Sequence, residues 1–428
     1  MKYKVNNHRC PITGENYISF RHSSGLTVLF CNTPYTASHA VYAVNYGGAC
    51  DSFERDGTVY DIPAGIAHFL EHKLFETESG GDAYDLFSQT GADANAYTSY
   101  TNTAYLFTAS EEFYTSLKIL LDFVNDPHWT EASVKKEQGI ITQELKMYED
   151  SPWSRVHTEL MKCLYKHHPV RHEIVGTEES ISRITPEYLY LCHSAFYTPE
   201  NMVLSIAGDL DIDRICQVLD TVKFANTGKS TARAVYKPEN SRIRRRVSRV
   251  KMEVSSPLFS FGVRDIDIPK DPKVRLKKAL ALNIYLDTLF GESSELYNAL
   301  YDAGLISGAM YAGCSYCDGF SYSTVSGEGE KPFTVKKRIK SALENAVARG
   351  IGREDFEITK KLIYSAFIKS LTSSQNYASE MLNGYFDGIA FTDIPKAVAD
   401  LGYDEALEYA RQVFKEENYA FSTVEPLV

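Results

Sequence analysis

Two homologous α+β domains in tandem, each a mostly antiparallel sheet with helices packed on it, are the fold class this sequence predicts. Three observations point there. At 428 residues, 44% of them hydrophobic, the chain is too long for one ordinary core and rich enough to fill two or three. Turn-bounded runs of β-branched and aromatic residues alternate with segments whose apolar residues recur at helical spacing. The two halves also resemble each other at a nearly constant offset.

In chain order, Gly25 to Phe30 and His39 to Tyr46 read as strands, and Gly47-Gly48 breaks the second. Gly65 to Glu76 reads as helix. A polar loop through Ser79-Gly80-Gly81 leads to a helix over Asp82 to Thr90, stopped by Gly91. Ala92 to Tyr100 and Ala104 to Thr108 look like paired strands. Phe113, Leu117, Leu120, Leu121 and Val124 give the next segment an amphipathic helical spacing. Thr130-Glu131-Ala132-Ser133 carries a cap signal for a long helix that Ser151-Pro152 interrupts. Pro186 to Tyr197 reads as helix, Met202 to Ala207 as a buried strand and Asp211 to Val222 as a closing helix. Residues 223–240, with Asn226-Thr227-Gly228-Lys229-Ser230 and Lys237-Pro238-Glu239, are polar and turn-rich. They predict a linker between a first domain, 1–222, and a second, 241–428.

The duplication rests on three collinear matches. Ile284 to Gly291 resembles Phe69 to Glu76 at an offset of 215, and Tyr297 to Gly304 resembles Tyr84 to Gly91 at 213. Phe414 to Tyr419 resembles Tyr197 to Met202 at 217. In this register His68, Glu71 and His72 fall on Asn283, Leu286 and Asp287. Only the first domain can hold the chemistry those three residues offer.

That chemistry is the sharpest signal in the chain. At about 100° per residue, His68, Glu71 and His72 share one helix face. Two imidazoles aimed at one point form a divalent metal site, and a carboxylate beside them can take a proton from a water polarised there. Zinc hydrolases usually have three protein ligands, so a carboxylate distant in sequence is needed. Glu137 and Glu144 lie seven apart on one face of the long helix, whose Gly139, Ile140 and Ile141 mark a packed segment where an unpaired carboxylate is costly. Glu144 is the candidate third ligand.

A net charge of −11 argues against nucleic acid as the main partner. The basic run Arg242 to Arg246 reads as a strand or linker face. Met1 to Asn7 leads into polar sequence rather than an apolar leader, and no apolar run approaches the ~20 residues that span a bilayer. A cytoplasmic protein without a membrane span is therefore expected. Eight scattered cysteines fit reduced thiols, and Cys314-Ser315-Tyr316-Cys317, without a second pair, reads as a coincidence within a strand.

With the inverted His-x-x-Glu-His, the following Leu74-Phe75-Glu76, the run Asn95-Ala96-Tyr97-Thr98 and the helix bearing Glu137 and Glu144, the chain resembles the insulinase-like M16 zinc peptidases. These include pitrilysin and the mitochondrial processing peptidases, and the bacterial two-domain YmfH-type members look most similar. The resemblance implies domains of the LuxS/MPP-like metallohydrolase type. It implies Zn2+ bound by His68, His72 and Glu144, Glu71 as general base and then acid, and Glu137 as a carboxylate supporting the site. Asn95 and Ala96 would lie on an edge strand to which a peptide substrate adds as a further strand.

One departure stands out. Active members of the family usually draw on an Arg and a Tyr seven residues apart in the second half. Anchored on Gly304-Leu305, those positions here are Leu300 and Ser307, and neither can steady an oxyanion. The expectation is thus a metallopeptidase working as a homo- or heterodimer with a homologous subunit, the pair being supplied by that subunit in a heterodimer. A non-proteolytic or regulatory subunit of such a heterodimer is the alternative. A small-molecule reaction, like that of the shorter S-ribosylhomocysteine lyases with the same motif, fits the duplicated length less well.

Overall fold

A computed structural model describes residues 3–78, 80–228 and 230–427. Met1, Lys2, Ser79 and Lys229 of the segments read above lie outside the described residues, as does Val428. The chain packs into two units. The first holds Met1–Leu145, Glu173–Val235 and Lys369–Ile394; the second holds Lys146–His172, Tyr236–Ile368 and Pro395–Val428.

The first unit is built on a seven-stranded sheet. Its spatial order is Val5–Arg9, Asn16–Arg21, Thr27–Asn32, Met202–Gly208, Ser38–Val44, Thr103–Ala109 and Asp93–Thr98. Only Thr27–Asn32 and Met202–Gly208 run parallel. Side chains alternate between the faces of a strand. Accordingly Ala40, Tyr42, Val44, Leu204 and Ile206 join the main core, with the helices Ile66–Leu74 and Phe113–Asn125 contacting the same sheet. Ser38–Val44 is nonetheless buried along its whole length, so its other face must also be covered. The cover is Ser374–Asp387, which packs on the three central strands and accepts a hydrogen bond from Ser205 Oγ at Ala378 O, 2.7 Å.

The second unit repeats the plan with five strands, in the order Val247–Met252, Tyr419–Pro426, Leu258–Arg264, Ser321–Glu328 and Tyr311–Tyr316. Its first pair is parallel and the rest antiparallel, as in the last five strands of the first sheet. The same chain order produces the same neighbours, so the two-domain α+β class is borne out. Phe259, Phe261 and Val263 enter the core. On the opposite face the helix Pro152–Leu164 covers the sheet: Val156 packs on Leu258 and Val424, and Gly262 leaves room for Leu160.

Each sheet therefore takes one covering helix from the other half of the sequence. Pro152–Leu164 follows the long helix Glu131–Asp150, and Ser374–Asp387 follows its counterpart Arg353–Ser370. The sequence halves 1–222 and 241–428 and the packing units are thus different partitions of the chain. Within the expected linker, Arg233–Ala234 pairs with Ser52–Arg55, one arm of a hairpin closed by Asp56 and Gly57, both at positive φ. Cys314 lies in the strand Tyr311–Tyr316 and donates to Ala279 O, while burial pushes its thiol up to about 12. None of the eight cysteines forms a disulfide among the described residues.

Candidate metal centre

The helix Ile66–Leu74 begins at Gly65, whose φ is 89°. A Cβ there would stand 2.2 Å from Val175 O, so the left-handed conformation and the close approach of the 175–176 backbone both require glycine. Ile66, Ala67, Phe69, Leu70 and Leu74 are buried and seat the helix in the core. Of the remaining positions of interest, His68 and His72 face a second helix, and Glu71 meets the sheet. That helix, Glu131–Asp150, is seated by buried Val134, Ile141 and Leu145 and turns Glu137 and Glu144 toward the histidines.

The distances define the centre. Glu144 Oε1 lies 3.5 Å from His68 Nε2, and its Oε2 lies 3.5 Å from His72 Nε2. One donor atom from each of these residues falls within 4.8 Å of the other two, and no other such group of three occurs among the described residues. Two ligands about 2.0–2.1 Å from a tetrahedral zinc stand about 3.3 Å apart, so the donors are at metal-binding separation. His72 Nδ1 donates to Glu137 Oε1 at 3.1 Å, which leaves the Nε2 lone pair for a metal. His68 Nδ1 is buried without a hydrogen-bond partner. Burial pushes the His72 pKa down, but the Glu137 hydrogen bond and the charges of Glu71, Glu137 and Glu144 outweigh it and raise the pKa. The site is a negative field around two imidazole nitrogens, and the donor set fits zinc.

Glu71 is held from the sheet: Thr98 Oγ1 donates to its Oε2 at 2.7 Å. Thr98 ends the strand Asp93–Thr98, which among the described residues pairs on one side only, with Thr103–Ala109, and so presents an open edge. Asn95 and Ala96 lie on this edge strand. Asn95 Oδ1 accepts from Ala96 N–H at 2.8 Å, so that donor is directed away from the sheet and met by a side chain that can swing off. Behind Glu71, the buried phenols of Tyr105 and Tyr197 share a hydrogen bond of 3.0 Å. Burial, then the neighbouring phenol and the Glu71 charge, push the Tyr105 pKa well above its ordinary value. A cleft of about 580 Å³ opens beside Glu71, His72 and Glu137, with Phe75 stacked on Tyr84 at 4.4 Å in its wall.

The structure brings together His68, Glu71, His72, Glu137 and Glu144, and it puts Asn95 and Ala96 on the edge strand that reaches Glu71. Thr98 and Gly65 were not singled out by sequence reasoning. Strand alternation could have found Thr98, because it shares a face with Ala94 and Ala96 and is the polar member of that set. In the second half, Asn283 Oδ1 accepts from Cys314 N at 2.9 Å and Leu286 is buried. The counterpart helices there are joined by Thr288 Oγ1 donating to Thr359 Oγ1 at 3.1 Å. Leu300 is core, and Ser307 Oγ donates to Glu328 O.

Comparison with known proteins agrees with this fold. Residues 56–178 match the family model for insulinase, peptidase family M16, and residues 183–363 match that for the M16 inactive domain. The chain belongs to the M16 peptidase family. It is 36% identical over 92% of both chains to the uncharacterised zinc protease YmfH of Bacillus subtilis (strain 168). It is 27% identical to the zinc protease YmxG of the same organism, over 86% of this chain and 91% of that one. A crystal structure of an M16-like peptidase from Alicyclobacillus acidocaldarius superposes with a TM-score of 0.90 at 32% identity, covering 100% of this chain and 99% of the other. No helix among the described residues is long and apolar enough to cross a membrane.

Proposed function

We propose that this chain is a zinc-dependent peptidase that hydrolyses peptide bonds in peptides or small proteins, with substrate bound by strand addition. The observation that carries the reading is the convergence of His68 Nε2, His72 Nε2 and the Glu144 carboxylate at 3.5 Å, beside a tethered Glu71. His68, His72 and Glu144 would hold the zinc. A zinc ion there supplies Lewis acidity, which favours attack of water on a peptide carbonyl. Glu71 takes a proton from the attacking water and delivers it to the amide nitrogen as the C–N bond breaks. Glu137 fixes the His72 ring. Ala94, Ala96 and Thr98 offer backbone groups to the incoming strand, and Asn95 releases Ala96 N–H to it.

Leu300 and Ser307 favour a further feature. With one side chain in the core and the other donating to Glu328 O, this chain lacks the Arg/Tyr pair, and a homologous subunit of a dimer would supply it. A regulatory, non-proteolytic role within such a dimer is the second reading. In this reading the homologous copies are 1–222 and 241–428, joined by the linker 223–240, and thiols without disulfides fit a cytoplasmic location.

The test is peptide cleavage by the zinc-loaded chain, alone and with a co-encoded homologue, comparing wild type with Glu71→Gln. The variant should bind one zinc per chain and lose cleavage. Undiminished cleavage would refute the mechanism, and no cleavage by wild type under either condition would favour the regulatory reading.

A further inference from the structure

We propose that Thr98 is a positioning residue for Glu71, so that the strand receiving substrate also aims the general base; this rests on the peptidase reading above. A carboxylate has two oxygens and rotates about its last torsion, and a base is effective only when one oxygen faces the proton it takes. Thr98 fixes that rotation. Its Oγ1 stands 2.7 Å from Glu71 Oε2, within the range of a charge-assisted hydrogen bond, and leaves Oε1 to meet the water.

The direction of the bond follows from its neighbours. Thr98 Oγ1 also lies 3.3 Å from Thr103 Oγ1, but Thr103 donates its own proton to Tyr46 O at 3.0 Å. The single Thr98 proton therefore goes to the carboxylate, the shorter and charged acceptor. Its backbone is fixed opposite Thr103 in the ladder, and its β-branched side chain is stiff about χ1. The donor thus sits on a rigid element, and Glu71 adjusts to it.

Strand addition uses the backbone of this edge, whereas aiming the base uses one side-chain hydroxyl. Removing the hydroxyl should then leave substrate binding intact and slow the chemical step. Thr98→Val keeps the shape and the β-branch; Thr98→Ser keeps the donor. With the zinc-loaded full chain, plus its homologue where cleavage requires one, and a quenched-fluorescence peptide mixture, Thr98→Val should lower kcat about ten- to hundredfold. KM and zinc content should match wild type, and Thr98→Ser should restore most of kcat. Crystal structures of the metal-free variants give a second readout: the Glu71 carboxylate should leave its position in Thr98→Val and return in Thr98→Ser. Wild-type kcat in Thr98→Val, or a serine variant as slow as the valine one, would overturn the inference while leaving the peptidase reading intact. If wild type cleaves nothing, that reading fails by itself, and an unmoved Glu71 in Thr98→Val would then overturn the positioning role.

Discussion

Replacing Glu137 by alanine should weaken zinc binding without removing a ligand. Glu137 touches His72 through Nδ1 at 3.1 Å, and its side chain is 14% exposed, so water replaces the contact poorly. Partners of this kind set the tautomer and basicity of a ligating imidazole, and their loss typically weakens metal binding 10–100-fold, or about 1.4–2.7 kcal/mol. Glu137→Gln keeps an acceptor but not the charge, and should fall between alanine and wild type. The proton works in the opposite sense. The hydrogen bond and charge of Glu137 help raise the His72 pKa, so their removal also relaxes proton competition for the ring and masks part of the loss near neutrality. The measurement is therefore competition against a chromophoric zinc chelator at pH 8, with Glu144→Ala marking the loss of a true ligand. Alanine binding zinc within twofold of wild type would refute the orienting role.

Two further predictions concern stability. His39, His168 and His193 are buried, and desolvation lowers each pKa from 6.5 to about 4. His193 shows why: Nε2 meets Val124 O and Nδ1 meets the Asn226 amide, a set complete for the neutral ring. The unfolded chain binds these protons first, so stability should be full above pH 6.5 and fall as pH drops toward 4, by at most about 3 kcal/mol per histidine. Denaturant titrations across that range check it, and a flat profile would contradict the burial argument. On the exchanged helix, Leu160→Ala should cost about 2–5 kcal/mol. Gly262→Ala should cost about 1–3 kcal/mol, because its Cβ would stand 2.8 Å from the Leu160 methyls. Together they should cost less than the sum, since each substitution relieves the other, and additive values would show that the contact is not shared.

The centre was legible in the sequence because its determinants are local and periodic. His68 and His72 are one turn apart and Glu137 and Glu144 two turns apart, so each pair shares a face whatever the tertiary structure. What joins the two helices is not local, and there the third ligand had to be inferred from coordination number. Strands such as Met202–Gly208 were readable because continuous apolar runs are buried on both faces. The hairpin of Val5–Arg9 and Asn16–Arg21 was not, because its first strand is polar and mostly exposed and its second buries only Tyr17 and Phe20. The exchange of Pro152–Leu164 and Ser374–Asp387 was invisible for a different reason. An amphipathic helix shows that it must cover an apolar face, but not which of two similar sheets offers that face.

That ambiguity is the natural consequence of duplication, and the metal helix shows what duplication leaves free. In the register that aligns Leu74 with Leu289, the seating residues Ile66, Phe69, Leu70 and Leu74 correspond to Ala281, Ile284, Tyr285 and Leu289. The first three of these are fully buried, and Leu289 packs against the same core. Every position that holds the helix to its sheet stays apolar. His68 and His72 become Asn283 and Asp287, and Glu71 becomes Leu286, which turns its position over to packing. The fold needs one face of this helix and the chemistry needs another, so the second copy can lose its metal face and keep its sheet. In the proposed reaction the first half of the chain would carry the three ligands and the base on two helices, Ile66–Leu74 and Glu131–Asp150, and would obtain the rest of its reaction site from residues outside this helix pair, beginning with Thr98.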